Sequence, residues 1–249
     1  MAIIKGSGAL AAAMVLAVVG GVALGSANRP AAHPHQDRQP LPTRDERREA
    51  EAVRKKSGIR AAAALSGRYV STEMMEQLTE ALDVATVAAA SDVVLRGTVV
   101  DNLSHLSDDG KTIVSDYRVA PTETFLGETK KDDVLNVRIP GGRVEFGDGT
   151  FADIKITNLI RPVNSREYLW FLSNDKSGHG PAKMFHLTMG AQGLFELKPE
   201  GLLFGMGNKS MTVQRKYHDQ ATAVLLNDLR DATERIRAQR HEGRHGGTR

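Results

Sequence analysis

Cysteine is absent from the 249 residues. No disulfide can staple the chain, no thiol can act as nucleophile, and cysteine-ligated zinc and iron–sulfur centres are excluded. A lipid-anchored bacterial lipoprotein is excluded for the same reason, since no cysteine carries the lipid. Aromatic residues are scarce, with one Trp, four Tyr and seven Phe. Single-stranded nucleic acid is usually held on aromatic stacking platforms in a basic groove. Few aromatics and a net charge of only +3 therefore argue against a dedicated nucleic-acid binder. Apolar and charged contents of 41% and 25% are those of an ordinary globular protein, so disorder over the full length is not expected.

What is present begins at the N-terminus. Met1 to Lys5 carries one positive charge, Gly6 to Ala27 carries none, and Gly25-Ser26-Ala27 supplies small residues before Asn28-Arg29-Pro30. This order is that of a secretory signal peptide over residues 1–27, with cleavage expected after Ala27 or Gly25. The competing reading is a membrane anchor over residues 6–27, a run long enough to span a bilayer. Arg29, Arg38, Arg44, Arg47 and Arg48 follow the run while only Lys5 precedes it, which opposes an anchor with its N-terminus inside.

Pro30, Pro34, Pro40 and Pro42 then mark an extended linker. Thr43 to Lys56 is rich in Arg and Glu with almost no apolar stripe, so residues 28–71 are expected to form a mostly disordered tether containing a loose helix. A helix capped by Ser71 or Thr72 is expected next, with Met74, Leu78, Leu82, Ala85 and Ala89 as its stripe.

From Asp92 to Leu203 the pattern is that of strands separated by glycine turns. Asp92–Val100, Thr112–Phe125, Val134–Ile139, Phe151–Leu159, Glu167–Leu172, Met184–Met189, Gly193–Leu197 and Leu202–Phe204 are the expected strands. Ser107-Asp108-Asp109-Gly110-Lys111 reads as a hairpin turn. The unbroken run Tyr168-Leu169-Trp170-Phe171-Leu172 implies a strand buried on both faces. The fold expected is mainly β with flanking helices, an α+β chain. Its domain over residues 72–204 is a small OB-like β-barrel or half-open barrel, or a sandwich, with one N-terminal helix packed on it. One C-terminal helix and a basic tail fill residues 205–249, with Tyr217, Ala221, Val224, Leu225, Leu229, Ala232 and Ile236 as its stripe. Residues 92–204 are net −3 and residues 205–249 net +4, so the excess positive charge sits at the C-terminus.

Five stretches carry a family likeness over about residues 85–200: Ser91-Asp92-Val93-Val94-Leu95-Arg96-Gly97-Thr98-Val99; Phe125-Leu126-Gly127; Leu135-Asn136-Val137-Arg138-Ile139-Pro140-Gly141-Gly142; Glu167-Tyr168-Leu169-Trp170-Phe171-Leu172; and Gly190-Ala191-Gln192-Gly193-Leu194-Phe195. In these the chain resembles a group of uncharacterised bacterial exported proteins with a small OB-like or netrin-like β-barrel domain. The resemblance implies architecture rather than chemistry. The chain lacks the cysteines of secreted netrin-like inhibitors.

No G-x-S-x-G elbow marks a serine hydrolase, and His105, His179 and His186 are scattered. His33 with His35, and His241 with His245, have metal-ligand spacing but lie in segments expected to be loose, where binding would be adventitious. Asp108-Asp109-Gly110 and Glu145 to Asp148 are explained by tight turns. Two glycine-rich turns offer a candidate ligand site, with Gly141, Gly142 and Arg143 in one and Gln192 in the other. Arg230, Arg235, Arg237 and Arg240 offer an electrostatic contact for anionic headgroups or cell-wall polymers. The expectation is a non-enzymatic binding module without cofactor or metal, exported to the periplasm, cell surface or medium. Its partner is expected to be a cell-envelope protein or polymer and not nucleic acid, with membrane contact only through an uncleaved residue 6–27 segment. The alternatives are an envelope hydrolase using His179 or His186, and a membrane-anchored structural protein.

Overall fold

The computed structural model describes residues 42–74, 80–130, 132–174, 183–198, 203–205, 212–218 and 220–245. The signal-peptide reading, Leu78 and His179 fall outside them.

The ordered fold begins earlier than the expected tether allows. Helix α1 (Arg44–Ser57) starts at a capping box in which Thr43 and Glu46 each accept from the other's backbone N–H. None of its residues is fully buried, which is why its sequence looks like a loose helix. It is held instead by Ala50 and Val53 packing on a core and by Arg54, which pairs with Glu51 and Glu73 and donates to Lys111 O. Gly58 breaks the chain direction, and α2 (Ile59–Ser66) buries Ile59, Ala62 and Ala63 completely.

The helix expected from Ser71 is corrected. Ser71 and Thr72 lie in strand β1 (Arg68–Glu73), and among the described residues of the expected helix Val84–Ala89 is the helical part (α3), capped by Asp83. Met74 and Leu82, two members of the expected stripe, are 75% and 70% exposed. Tyr69-Val70-Ser71-Thr72 suits a pleated strand, and its partner, β6 (Phe151–Ile156), lies some eighty residues away and is invisible to local periodicity.

Strands β2 (Val93–Leu106), β3 (Ile113–Leu126), β4 (Leu135–Pro140), β7 (Glu167–Asn174) and β8 (Met184–Leu187) form a ring. β2 pairs antiparallel with β3 and β7, β3 antiparallel with β4, β4 parallel with β8, and β8 antiparallel with β7. Register shifts along the β2–β3 ladder are the bulges that bend two fourteen-residue strands tightly enough to close so small a barrel. The expected OB-like barrel is this ring. Its interior holds Leu95, Val99, Tyr117, Val119, Val137, Ile139, Tyr168, Trp170, Leu172 and Phe185. Trp170 donates its indole N–H to Gly97 O at 3.2 Å, so the ring closes over a satisfied polar atom.

As expected, β7 is buried on both faces. Leu169 and Phe171 point out of the barrel into a second core under α3, α4 (Thr212–Tyr217) and α5 (Thr222–His245), shared with Val84, Val87, Val213, Tyr217, Leu225 and Leu229. Strands β9 (Leu194–Leu197) and β10 (Leu203–Gly205) extend the sheet beyond β7. The single C-terminal helix expected is two, because a turn in which Gln220 N–H bonds Tyr217 O separates α4 from α5. Val224 faces solvent.

After Pro140 the chain leaves the barrel. β5 (Gly142–Glu145), β6 (Phe151–Ile156) and β1 form a separate sheet in the order β1-β6-β5, with β1 parallel to β6. One face buries Tyr69, Ala152 and Ile154 against Ile59, Ala62 and Ala63 of α2. This third core, like β1 and β5 themselves, was not expected.

Candidate functional site

Strand alternation sorts β3 and β4 cleanly. Ser115, Tyr117, Val119, Val137 and Ile139 point inward, leaving Asp116, Arg118, Asn136 and Arg138 outside. The register then aligns Leu103 with Asp116, Asp116 with Arg138, Arg138 with His186, and His186 with Ser173. One row of side chains thus crosses the outer face of β2, β3, β4, β8 and β7.

The centre of the row is a charged lattice. Arg138 donates from Nε to Oδ1 and from Nη2 to Oδ2 of Asp116, each at 2.7 Å. His105 Nε2 lies 3.0 Å from the same Oδ2, and its Nδ1 lies 2.9 Å from Leu106 O. Burial alone would raise the Asp116 pKa, but the Arg138 and then the His105 contacts outweigh it and hold the carboxyl below its ordinary value. All three side chains stay partly exposed. At one end Leu103 is 68% exposed. The arrangement is a partly exposed, two-pronged ion pair with a histidine beside it, suited to hydrogen bonding a polar ligand. Among the described residues, the His105 ring nitrogens meet Asp116 and the Leu106 carbonyl, and neither contact is a hydroxyl nucleophile.

Asp116 and Arg138 were not singled out from the sequence. Alternation in Leu135–Ile139 does place Arg138 on the polar face, but its pairing with Asp116 requires the strand register.

The hairpin tip next to this face is closed. Asp109 accepts from Ser107 Oγ and Lys111 N–H, and Gly110 O accepts from Ile59 N–H. The Asp108-Asp109-Gly110 turn is thus used within the fold.

The structure separates the two glycine-rich turns. Gly141 and Gly142 form the corner where the chain switches from barrel to small sheet. Both have positive φ, and a Cβ on Gly142 would lie 2.4 Å from Ser115 Oγ. Ser115 donates to Gly141 O, and Ser104 bonds Ser115. Arg143 lies on the exposed face of the small sheet, its guanidinium 4.1 Å from the Phe151 ring centre and bonded to Glu145. Gln192 is fully buried. It accepts from Ala81 N–H at 2.7 Å, beside Gln214, which donates to Ala191 O.

The four arginines of α5 face several directions. Arg230 reaches Glu123 at 3.2 Å, Arg237 donates to Phe125 O, and Arg240 donates to Ser91 O at 3.2 Å. The first two tie the helix to β3 and the third ties it to the turn between α3 and β2. Arg235 donates to Asp231 O within its own helix and borders a cleft of roughly 210 Å³ with Asp83, Lys216, Tyr217, Asp228 and Asp231. Within the cleft Tyr217 Oη donates to Asp228 at 2.6 Å and Lys216 lies 3.5 Å from the same carboxylate, while Asp83 caps α3.

His241-Glu242-Gly243-Arg244-His245 has the H-E-x-x-H spacing of zinc proteases, at the end of α5. The side chains of residues 241–245 fall outside the described ones. Among the described residues no group of three metal-ligating side chains gathers, and none of their helices is long and apolar enough to cross a membrane.

No protein-family model matches the chain, and no curated protein matches it in sequence.

Proposed function

We propose that the protein is an exported, non-enzymatic binding module of the bacterial cell envelope, whose ligand lies across the outer face of the barrel. The observation that carries this reading is the row Leu103–Asp116–Arg138–His186, running across the strands on a closed small barrel. OB-type barrels use their second and third strands and adjoining loops to hold extended polymers such as oligosaccharides, and β3 with β4 occupies that place here. A partner rich in hydroxyl and carboxyl groups, as an envelope polymer is, matches the polar centre and apolar end of the row. Nucleic acid fits poorly with the net negative charge of residues 92–204. Export rests on the residue 1–27 pattern, and mass spectrometry of the mature N-terminus tests it, since an intact Met1 rules out cleavage.

The binding test is co-sedimentation of the mature protein with envelope fractions, comparing wild type with Leu103→Asp and Arg138→Gln. Both changes are at exposed or half-exposed positions and leave the cores intact. Retention of wild type with loss in both variants supports the reading. No retention of wild type, or equal retention of all three, overturns it.

A further inference from the structure

The small sheet has a second face that its own core does not use. Tyr69, Ala152 and Ile154 point to α2, so the alternate residues point away: Arg68, Val70 and Thr72 on β1; Phe151, Asp153 and Lys155 on β6; Arg143 and Glu145 on β5. The register places Arg68, Phe151 and Glu145 in one row, Val70, Asp153 and Arg143 in the next, and Thr72 with Lys155 in the third.

Cationic head groups follow the central strand. Arg143 bends over Phe151, its guanidinium 4.1 Å from the ring centre. Arg161, from the loop after β6, reaches across to Asp153 at 2.6 Å. Lys155 occupies the third row and is exposed. One cation therefore stands over each row of β6, and rows repeat every ~6.6–6.8 Å along a strand. With Arg68 opposite Phe151, four cations share this face with two carboxylates. One of these, Glu145, has a side chain 74% exposed, so an incoming carboxylate can exchange with it.

We propose that this face docks an extended acidic segment of a partner protein. A peptide in β conformation presents alternate side chains on one face at the same ~6.6–6.8 Å repeat, so acidic residues at i, i+2 and i+4 meet the three cations in turn. Arginine held on an aromatic ring is pre-organised for such a carboxylate and loses little freedom on binding. Val70, 41% exposed on the same face, supplies an apolar contact beside the charges. The surface is independent of the barrel row.

The test uses the full chain and two synthetic peptides of equal length and charge. One alternates Glu and Ser, and the other carries the same residues in blocks. Binding is measured at low and physiological salt, with inorganic polyphosphate as a third probe. The expected result is tighter binding of the alternating peptide, weakened roughly twofold to fivefold by Lys155→Gln and again by Arg143→Gln, and unchanged by Lys111→Gln. Trp170 fluorescence verifies the fold of each variant. The exposed Lys155 substitution keeps the test valid if Arg143→Gln disturbs the sheet. Equal binding of the two peptides, no effect of either substitution, or binding of polyphosphate alone overturns the proposal.

Discussion

Arg138 and Asp116 meet across the β3–β4 register in a two-pronged ion pair, both prongs at 2.7 Å. The pair is planar and fixed by two paired strands, so it orders the outer face of the barrel without contributing to its core. His105 joins the same carboxylate from β2. Three strands of the ring are thereby cross-linked on the side where a ligand would lie.

The depressed Asp116 pKa makes this lattice acid-sensitive. A carboxyl whose folded pKa is lowered contributes stability above its unfolded value of about 3.9, and the contribution disappears as pH falls through the lower folded value. Wild type should therefore lose stability more steeply below about pH 4 than Asp116→Asn. At neutral pH the variant should be weaker by about 1 kcal/mol or less, because the pair is partly solvated. Urea midpoints across the acid range measure both, and parallel pH profiles would contradict the assignment.

The tyrosines predict the alkaline limit. Burial first, aided by the carboxylates of Glu51 and Asp228 respectively, pushes Tyr69 and Tyr217 up to about 12, and burial pushes Tyr117 to about 12. Burial also raises Tyr168. For groups with a raised folded pKa, the stability held below the unfolded value of about 10 drains as pH climbs toward the folded one. Phenolate absorbance should appear late, between about pH 10 and 12, in a step coincident with unfolding seen by circular dichroism. Ionisation near pH 10 with the fold intact would refute it.

The corner at Gly142 should tolerate no side chain. Its φ is 146°, and Ser115 Oγ and Ser104 Oγ would lie 2.4 and 2.6 Å from an added Cβ. Gly142→Ala is expected to cost about 1–3 kcal/mol through strain and overpacking. Gly110→Ala, at a positive φ with open space around it, should cost less. Chemical denaturation of the two variants gives the comparison.

Helix α5 should behave as part of the fold. Leu229 is fully buried between it and the sheet, so Leu229→Ala should cost about 2–5 kcal/mol. Val224, 44% exposed one turn earlier, should change stability by no more than about 0.5 kcal/mol on replacement by Ala. Equal effects would mean that the helix is not docked as described.

The strands of the barrel were legible because each carries its own signal. Leu135–Ile139 alternates, Tyr168–Leu172 is apolar on both faces, and Ser107–Lys111 has turn chemistry that any chain of this composition would obey. Strand β1 and helix α2 were misread because their signals are weak locally, and helix α1, expected as a loose helix in a tether, is instead part of the fold. α1 is polar and becomes ordered through Arg54, whose partners Glu73 and Lys111 lie 19 and 57 residues away. Arg143 and Gln192 looked alike, as polar residues in glycine turns. One proves to be an exposed cation on Phe151, the other a buried hydrogen-bonding residue under Ala81.

The sequence by itself determined the class of fold, most strand positions, the lack of covalent cross-links and the export-type N-terminal pattern, because these follow from composition and short-range periodicity. Only the tertiary structure decided which polar residues stand together. The row from Leu103 to His186, the cation line over β6 and the anchoring of the α5 arginines all depend on strand register and on contacts between distant segments. Those are set by the simultaneous packing of three cores, which no local stretch of the chain encodes.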